Sequence, residues 1–330
     1  MRKVAFLAMI CLLFVGIAAD AQPKKIAISS RISWCPGSNN QGVLDDRDFD
    51  VMYQYSMDDE LMAQQLTQNG YFPVLMPDYV LQGMLMSGCP FPPGDDADFN
   101  PYINEGDYMD QPDFLTKDGF DLVYNTGTCW SSIGPPLKDL AIPVVQAEHA
   151  NLGARYGKFG GMFMYTAENS GDINGDNTIV LTAAGQTHEI TAGFPTETII
   201  YGDGPEGPPA NTSAAWLGIY DTISEAAPGV VPLAVWKSAP NKVAIAVMET
   251  GAAYMVGCPG LANAPARRAQ TFWTGQVRPQ NSDQLVAADW ITGWEHMTTL
   301  GKTIHLRILQ WAMGDLTPKS SDVVNWELPK

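Results

Sequence analysis

Short aliphatic and β-branched runs recur along this chain, most of them closed by a polar residue or a turn. Lys25–Ser29 (KIAIS), Tyr71–Met76 (YFPVLM), Phe120–Asn125 (FDLVYN), Ile142–Val145 (IPVV), Thr178–Thr182 (TIVLT), Val231–Trp236 (VPLAVW) and Lys242–Met248 (KVAIAVM) read as strands. Each is too short for a helix and too continuous for a sheet face open to water, so buried strands are predicted. Two stretches change period. From Met57, Leu61, Met62 and Leu66 fall at helical spacing, Asp58 and Asp59 complement the helix dipole, and Asn69-Gly70 ends the run. Met297–Met313 is the clearest helix, with Leu300, Ile304, Ile308 and Trp311 in phase and Gly314 as its stop. The opening strand–loop–helix–strand order predicts an α/β fold with a mostly parallel sheet flanked by helices. No internal repeat is visible, so residues 22–330 read as one domain.

Polar stretches interrupt this pattern. Residues 77–118, rich in Pro, Gly, Asp, Tyr and Asn, read as a long insertion over one edge of the sheet, and 256–294 as a second, variable one. Ligands of open α/β sheets sit outside the carboxyl ends of the strands. Residues that follow predicted strands are therefore the first candidates. IPVV runs into Gln146-Ala147-Glu148-His149 and then Asn151; FDLVYN runs into Thr126-Gly127-Thr128-Cys129-Trp130; KVAIAVM runs into Glu249-Thr250-Gly251.

Composition narrows the setting. Arg2-Lys3, the apolar run Val4–Ala18 and Ala19-Asp20-Ala21 match the three regions of an export signal, so residues 1–21 are expected to be removed. The mature chain then holds 17 basic and 35 acidic residues, a formal charge of −18. So acidic a surface repels nucleic acid and anionic membrane. No later stretch is apolar enough to span a bilayer, and a periplasmic or secreted address of bacterial type is expected. Cys35, Cys89, Cys129 and Cys258 remain after signal removal, which permits two disulfides in three pairings.

Four stretches together resemble the class I glutamine amidotransferase-like proteins, and within them the ThuA-like (trehalose-utilisation) group. They are FDLVYNTGT at 120–128, IPVVQAEHANLG at 142–153, TIVLTAAGQTHEITAGFP at 178–195 and TLGKTIHLRILQWAMG at 299–314. The third is similar to that family's strand followed by His-Pro-Ile-Thr-x-Gly, with Glu189 in place of the proline. The fourth is similar to its closing helix. The resemblance implies a flavodoxin-like sheet and a saccharide as the substrate class. It also places Glu148 where the glutaminase members keep a nucleophilic cysteine, so Cys-His glutaminase chemistry is not expected.

Beside each functional role stands a structural one. Glu148 and His149 suit a general base or a hydroxyl-binding pair, or a buried carboxylate holding a turn. If the strands before them are neighbours, Glu249 joins Glu148 as a second carboxylate in one cleft, acting as acid and base on a sugar. Trp130 suits stacking on a sugar face or capping the core. Cys129 suits a binding position or a disulfide. Asn151 suits a ligand hydroxyl. His188 is a binding candidate that equally holds the turn after its strand, while His305 reads as a packing residue on the last helix. The four histidines show no zinc spacing. Asp172, Asn174 and Asp176 resemble the first half of a Ca2+ loop, but the twelfth position is Ala183, and an Asn-Gly-Asp turn explains the same letters. Ser131 and Ser132 lack a GxSxG setting. Two readings follow: an exported ThuA-like protein that binds or acts on a saccharide, or a non-catalytic interaction module of the cell envelope with the same fold.

Overall fold

The computed structural model describes residues 22–30, 32–33, 54–55, 57–77, 114–126, 135–147, 177–202, 212–213, 226–254, 256, 260–272, 278–279, 294 and 297–316. In chain order these form β1 (Lys25–Ser30), β2 (Ile32–Ser33), β3 (Gln54–Tyr55), α1 (Met57–Gln68), β4 (Phe72–Pro77), α2 (Phe114–Lys117), β5 (Leu122–Asn125), a 3-10 turn (Pro135–Asp139) and β6 (Val144–Gln146). There follow β7 (Thr178–Leu181), α3 (Ala183–Thr187), β8 (Glu197–Ile199), β9 (Thr212–Ser213), β10 (Val231–Trp236), β11 (Val243–Met248), β12 (Arg268–Gln270), β13 (Arg278–Pro279) and α4 (Thr299–Met313).

Among the described residues, nine strands form one sheet in the order β4-β1-β5-β6-β12-β11-β10-β7-β8. Pairing is parallel from β4 to β12. From β12 to β8 it is antiparallel. The α/β architecture is therefore present, but the sheet is mixed, and the expected parallel arrangement holds for one half of it. The reason is local. VPLAVW and KVAIAVM are joined by a turn too short for a crossover, so they must pair antiparallel. Both strands are largely buried, and a run buried on both faces looks the same in either pairing. At the rim, β4 carries Pro73 and Pro77, residues that an edge strand tolerates and a central strand does not.

Side chains alternate across the sheet into two cores. On one face, Ile26, Ile28, Leu122, Tyr124 and Val145 pack with Met62 and Leu66 of α1 and with Ile304, Ile308 and Trp311 of α4. On the other, Ala27, Val123, Val144, Ala246 and Met248 pack with Leu115, Leu137 and Tyr254. α4 is buried on most sides, yet Leu300, in phase with its apolar stripe, is exposed. Gly301 allows the first turn to close on the end of β8: an added Cβ would meet the Ile200 carbonyl oxygen at 2.7 Å. Gly314 ends the helix in the left-handed conformation at φ 74°.

β12 lies in the middle of the sheet, within the stretch 256–294 that the sequence pattern reads as an insertion. Its residues, Arg-Ala-Gln, carry no apolar run. Arg268 is fully buried because its guanidinium meets backbone carbonyls: Nη1 donates to Ile142 (2.9 Å) and Arg267 (3.0 Å), and Nη2 to Lys138 (3.0 Å) and Leu140. Its Nε donates to the Tyr254 hydroxyl at 3.2 Å. One side chain thus ties the turn before β6 to the start of β12. No helix among the described residues is long and apolar enough to cross a membrane.

Candidate functional site at the carboxyl edge of the sheet

The chain turns back on itself beside β1: β4 pairs on one side of it and β5 on the other. At such a switch point the connections leave in opposite directions and open a crevice at the carboxyl ends of the strands. Residues at the ends of four parallel strands stand there in register. Ser29 faces Asn125, Asn125 faces Gln146, and Gln146 faces Gln270. On one face of the sheet, therefore, a row of polar side chains crosses four strand ends.

The row is hydrogen-bonded from Ser29 to Gln146, and Gln270 bonds to the backbone. The Ser29 hydroxyl donates to Asn125 Oδ1 at 2.5 Å, and Asn125 Nδ2 donates to Gln146 Oε1 at 3.1 Å. Gln270 Nε2 donates to the Val243 carbonyl at 3.1 Å. On the opposite face, one residue further on, the Ser30 hydroxyl donates to Asp59 Oδ2 at 2.5 Å. Thr126 Oγ1 lies 2.8 Å from the Ser29 carbonyl and 3.4 Å from Asp59 Oδ2, so its single proton goes to the nearer carbonyl. Ser29, Ser30, Asp59, Asn125 and Thr126 are each 0 % exposed. Asp59, which the helix pattern assigns to the α1 dipole, is thus also bonded to the end of β1. A buried, bonded layer of this kind fixes the exit directions of the segments that follow β1, β5 and β6.

The opposite, amino edge is built differently. Met248 is level with Arg268, which is level with Val144, the first residue of β6. Glu249 therefore leaves the sheet at the edge where β6 begins, because β11 runs antiparallel to β12. It is not brought to the edge where β6 ends. There Glu249 pairs with Arg267 Nε at 2.9 Å and is more than half exposed. Arg267 Nη1 donates to the Trp311 carbonyl at 2.6 Å, and Lys24 Nζ to that of Met313 at 2.7 Å, so both cations cap the end of α4. A hollow of about 360 Å³ on this edge is lined by Pro143, Glu189, Thr250 and Arg267, among others. Of its charged groups, Arg267 is engaged with the helix end, and the bonded polar row lies at the other edge.

His188 follows α3 near the same amino edge. Its Nδ1 accepts from the Ile190 amide at 3.3 Å, and its ring packs 5.7 Å from that of Trp311. Burial pushes its pKa below the ordinary imidazole value, against the pull of Glu189 and Glu249. Both features favour the neutral ring and a turn-holding position. His305 is wholly buried in α4, edge-on to Tyr124 at 5.1 Å and to Trp294 at 5.2 Å, and desolvation lowers its pKa to about 3.

Glu148, His149, Asn151, Cys129, Trp130, Ser131 and Ser132 lie outside the described residues. So do Asp172, Asn174 and Asp176, the cysteines Cys35, Cys89 and Cys258, and residues 1–21. Among the described residues, no group of three or more His, Cys, Asp or Glu stands close enough to hold a metal ion. The residues that sequence reasoning missed are Ser29, Ser30, Asn125, Gln146 and Gln270. Four of them end or follow a correctly read strand, where a polar residue looks like a stop signal. Searches against family models, curated proteins and solved structures gave no match to this chain.

Proposed function

We propose that this chain is an exported ThuA-like member of the class I glutamine amidotransferase-like group. On this reading it binds or acts on a saccharide in a cleft at the carboxyl edge of its sheet. The observation that carries the reading is the register of Ser29, Asn125, Gln146 and Gln270 across four strand ends at the switch point. Hydroxyl and amide groups match the hydrogen-bonding capacity of a neutral polyol. The strand order lends support to a flavodoxin-like fold. Ranked by position in the chain, β4-β1-β5-β6 stand in the order 2-1-3-4, which opens that fold, and β12 takes the fifth place. Within this reading Glu148 and His149, which follow β6 in the chain, are the candidates for the carboxylate and imidazole that meet the ligand, and Asn151, Trp130 and Cys129 are further ligand-binding candidates.

A second reading is favoured by the burial of that row: a non-catalytic module that keeps the network for shape and meets a partner through its acidic loops. One experiment separates them. The mature protein is titrated by calorimetry with a panel of neutral mono- and disaccharides, and Glu148→Gln is compared with wild type. Saccharide binding that Glu148→Gln abolishes, with the melting temperature retained, supports the first reading. No heat from any saccharide leaves the second. Addition of calcium or EDTA to the same samples tests the loop Asp172–Asp176.

A further inference from the structure

At the carboxyl end of β12, one residue beyond the polar row, Thr271 continues the ladder: its amide donates to the Gln146 carbonyl at 3.0 Å. Its side chain is 3 % exposed, and its hydroxyl has no hydrogen-bond partner among the described residues. A buried hydroxyl without a partner is unfavourable and is uncommon in native proteins. Strand alternation puts Thr271 on the same face as Ser30 and Thr126. Between Thr126 and Thr271 that face carries only the methyl of Ala147, whose amide donates to the Asn125 carbonyl at 2.8 Å. The two hydroxyls therefore flank a small residue, about 10 Å apart by two strand spacings. On the far side of Thr126 stands the Asp59 carboxylate.

We propose that Thr271 is a ligand-binding residue of the carboxyl edge, its hydroxyl reading an oxygen of a neutral polyhydroxyl ligand that lies over Ala147 toward Asp59. This rests on the saccharide reading above and adds to it a named contact and a preference for an uncharged ligand. A hydroxyl donates and accepts, as a sugar hydroxyl does, while Asp59 stands against an anionic group.

The test compares wild type, Thr271→Val and Thr271→Ser in the full mature chain, with maltose, glucose and glucose 6-phosphate as probes. Valine keeps the shape and removes the hydroxyl. Without ligand, Thr271→Val is expected to melt at or above the wild-type temperature. With maltose, its affinity is expected to fall about fivefold to tenfold, and Thr271→Ser to stay near wild type. Glucose 6-phosphate is expected to bind wild type more weakly than glucose does. Equal maltose affinity in Thr271→Val overturns the assignment, as does tighter binding of the phosphate. If no saccharide binds wild type, the saccharide reading fails on its own. The assignment of Thr271 then falls with it, and a ligand-free melting temperature of Thr271→Val below wild type overturns the assignment independently, since it shows that the hydroxyl is already satisfied within the folded protein.

Discussion

The two edges of one sheet use polar residues in opposite ways. At the amino edge, Arg267, Arg268 and Lys24 are spent on backbone carbonyls: those of the α4 terminus and of the turn before β6. Every such bond closes the chain on itself. At the carboxyl edge the bonds run mainly between side chains, Ser29 to Asn125 to Gln146 and Ser30 to Asp59, and Thr271 carries a hydroxyl that none of the described residues meets. Charge alone would point to the amino edge, where the hollow also lies. What the charges are bonded to points the other way. A cation that caps a helix closes the fold on itself, whereas the in-register row of hydroxyls and amides is bonded side chain to side chain beneath the carboxyl edge, where it positions the segments that leave β1, β5 and β6.

That contrast can be broken at either end. The largest effect is expected from Arg268→Met, which leaves the carbonyls of Lys138, Leu140 and Ile142 unmet in the core. Denaturant unfolding is expected to show a loss of about 3–5 kcal/mol, the range for removing one member of a buried charged network. The next test uses pH. His305 binds its proton in the unfolded state near 6.5 and in the folded state only at about 3. The folded protein thus takes up fewer protons, so stability is full above pH 6.5 and falls as the pH drops toward 3. The loss attributable to this group is on the order of 3 kcal/mol by pH 4. Replacing His305 with Phe is expected to flatten that part of the stability–pH curve.

At the carboxyl edge, Asn125→Ala removes the acceptor of Ser29 and the donor to Gln146. A cost of about 2 kcal/mol is expected in denaturant melts, smaller than for Arg268 because fewer buried groups are orphaned. Glu249→Gln should change stability by no more than about 0.5 kcal/mol, since its pair with Arg267 is largely open to solvent. It should also leave any saccharide binding intact. Loss of binding in Glu249→Gln would return that residue to the site and erase the distinction between the edges.

Much of the frame was legible before any coordinates. KIAIS, FDLVYN, TIVLT, VPLAVW and KVAIAVM are strands, and α1 and α4 fall where the apolar spacing puts them, because burial of a local pattern is a local property. Three things were not legible, each for a non-local reason. Arg-Ala-Gln gives no strand signal, since the burial of Arg268 depends largely on carbonyls more than a hundred residues away in sequence. Glu249 follows a strand as Glu148 does, but whether two strands end at the same edge depends on their relative direction, which a buried run does not record. Ser29, Asn125 and Gln146 each resemble a full stop, and only the pairings β1–β5 and β5–β6 make them a row.

The most direct test of the carboxyl edge as the site is hydrogen–deuterium exchange of the protein with and without saturating maltose. Added protection is expected in peptides that contain Ser29–Ser30, Asn125–Thr126, Gln146–Ala147 and Gln270–Thr271, with peptides around Glu249–Arg267 unchanged. Protection confined to the Glu249–Arg267 peptides would contradict the account and move the binding site to the amino edge.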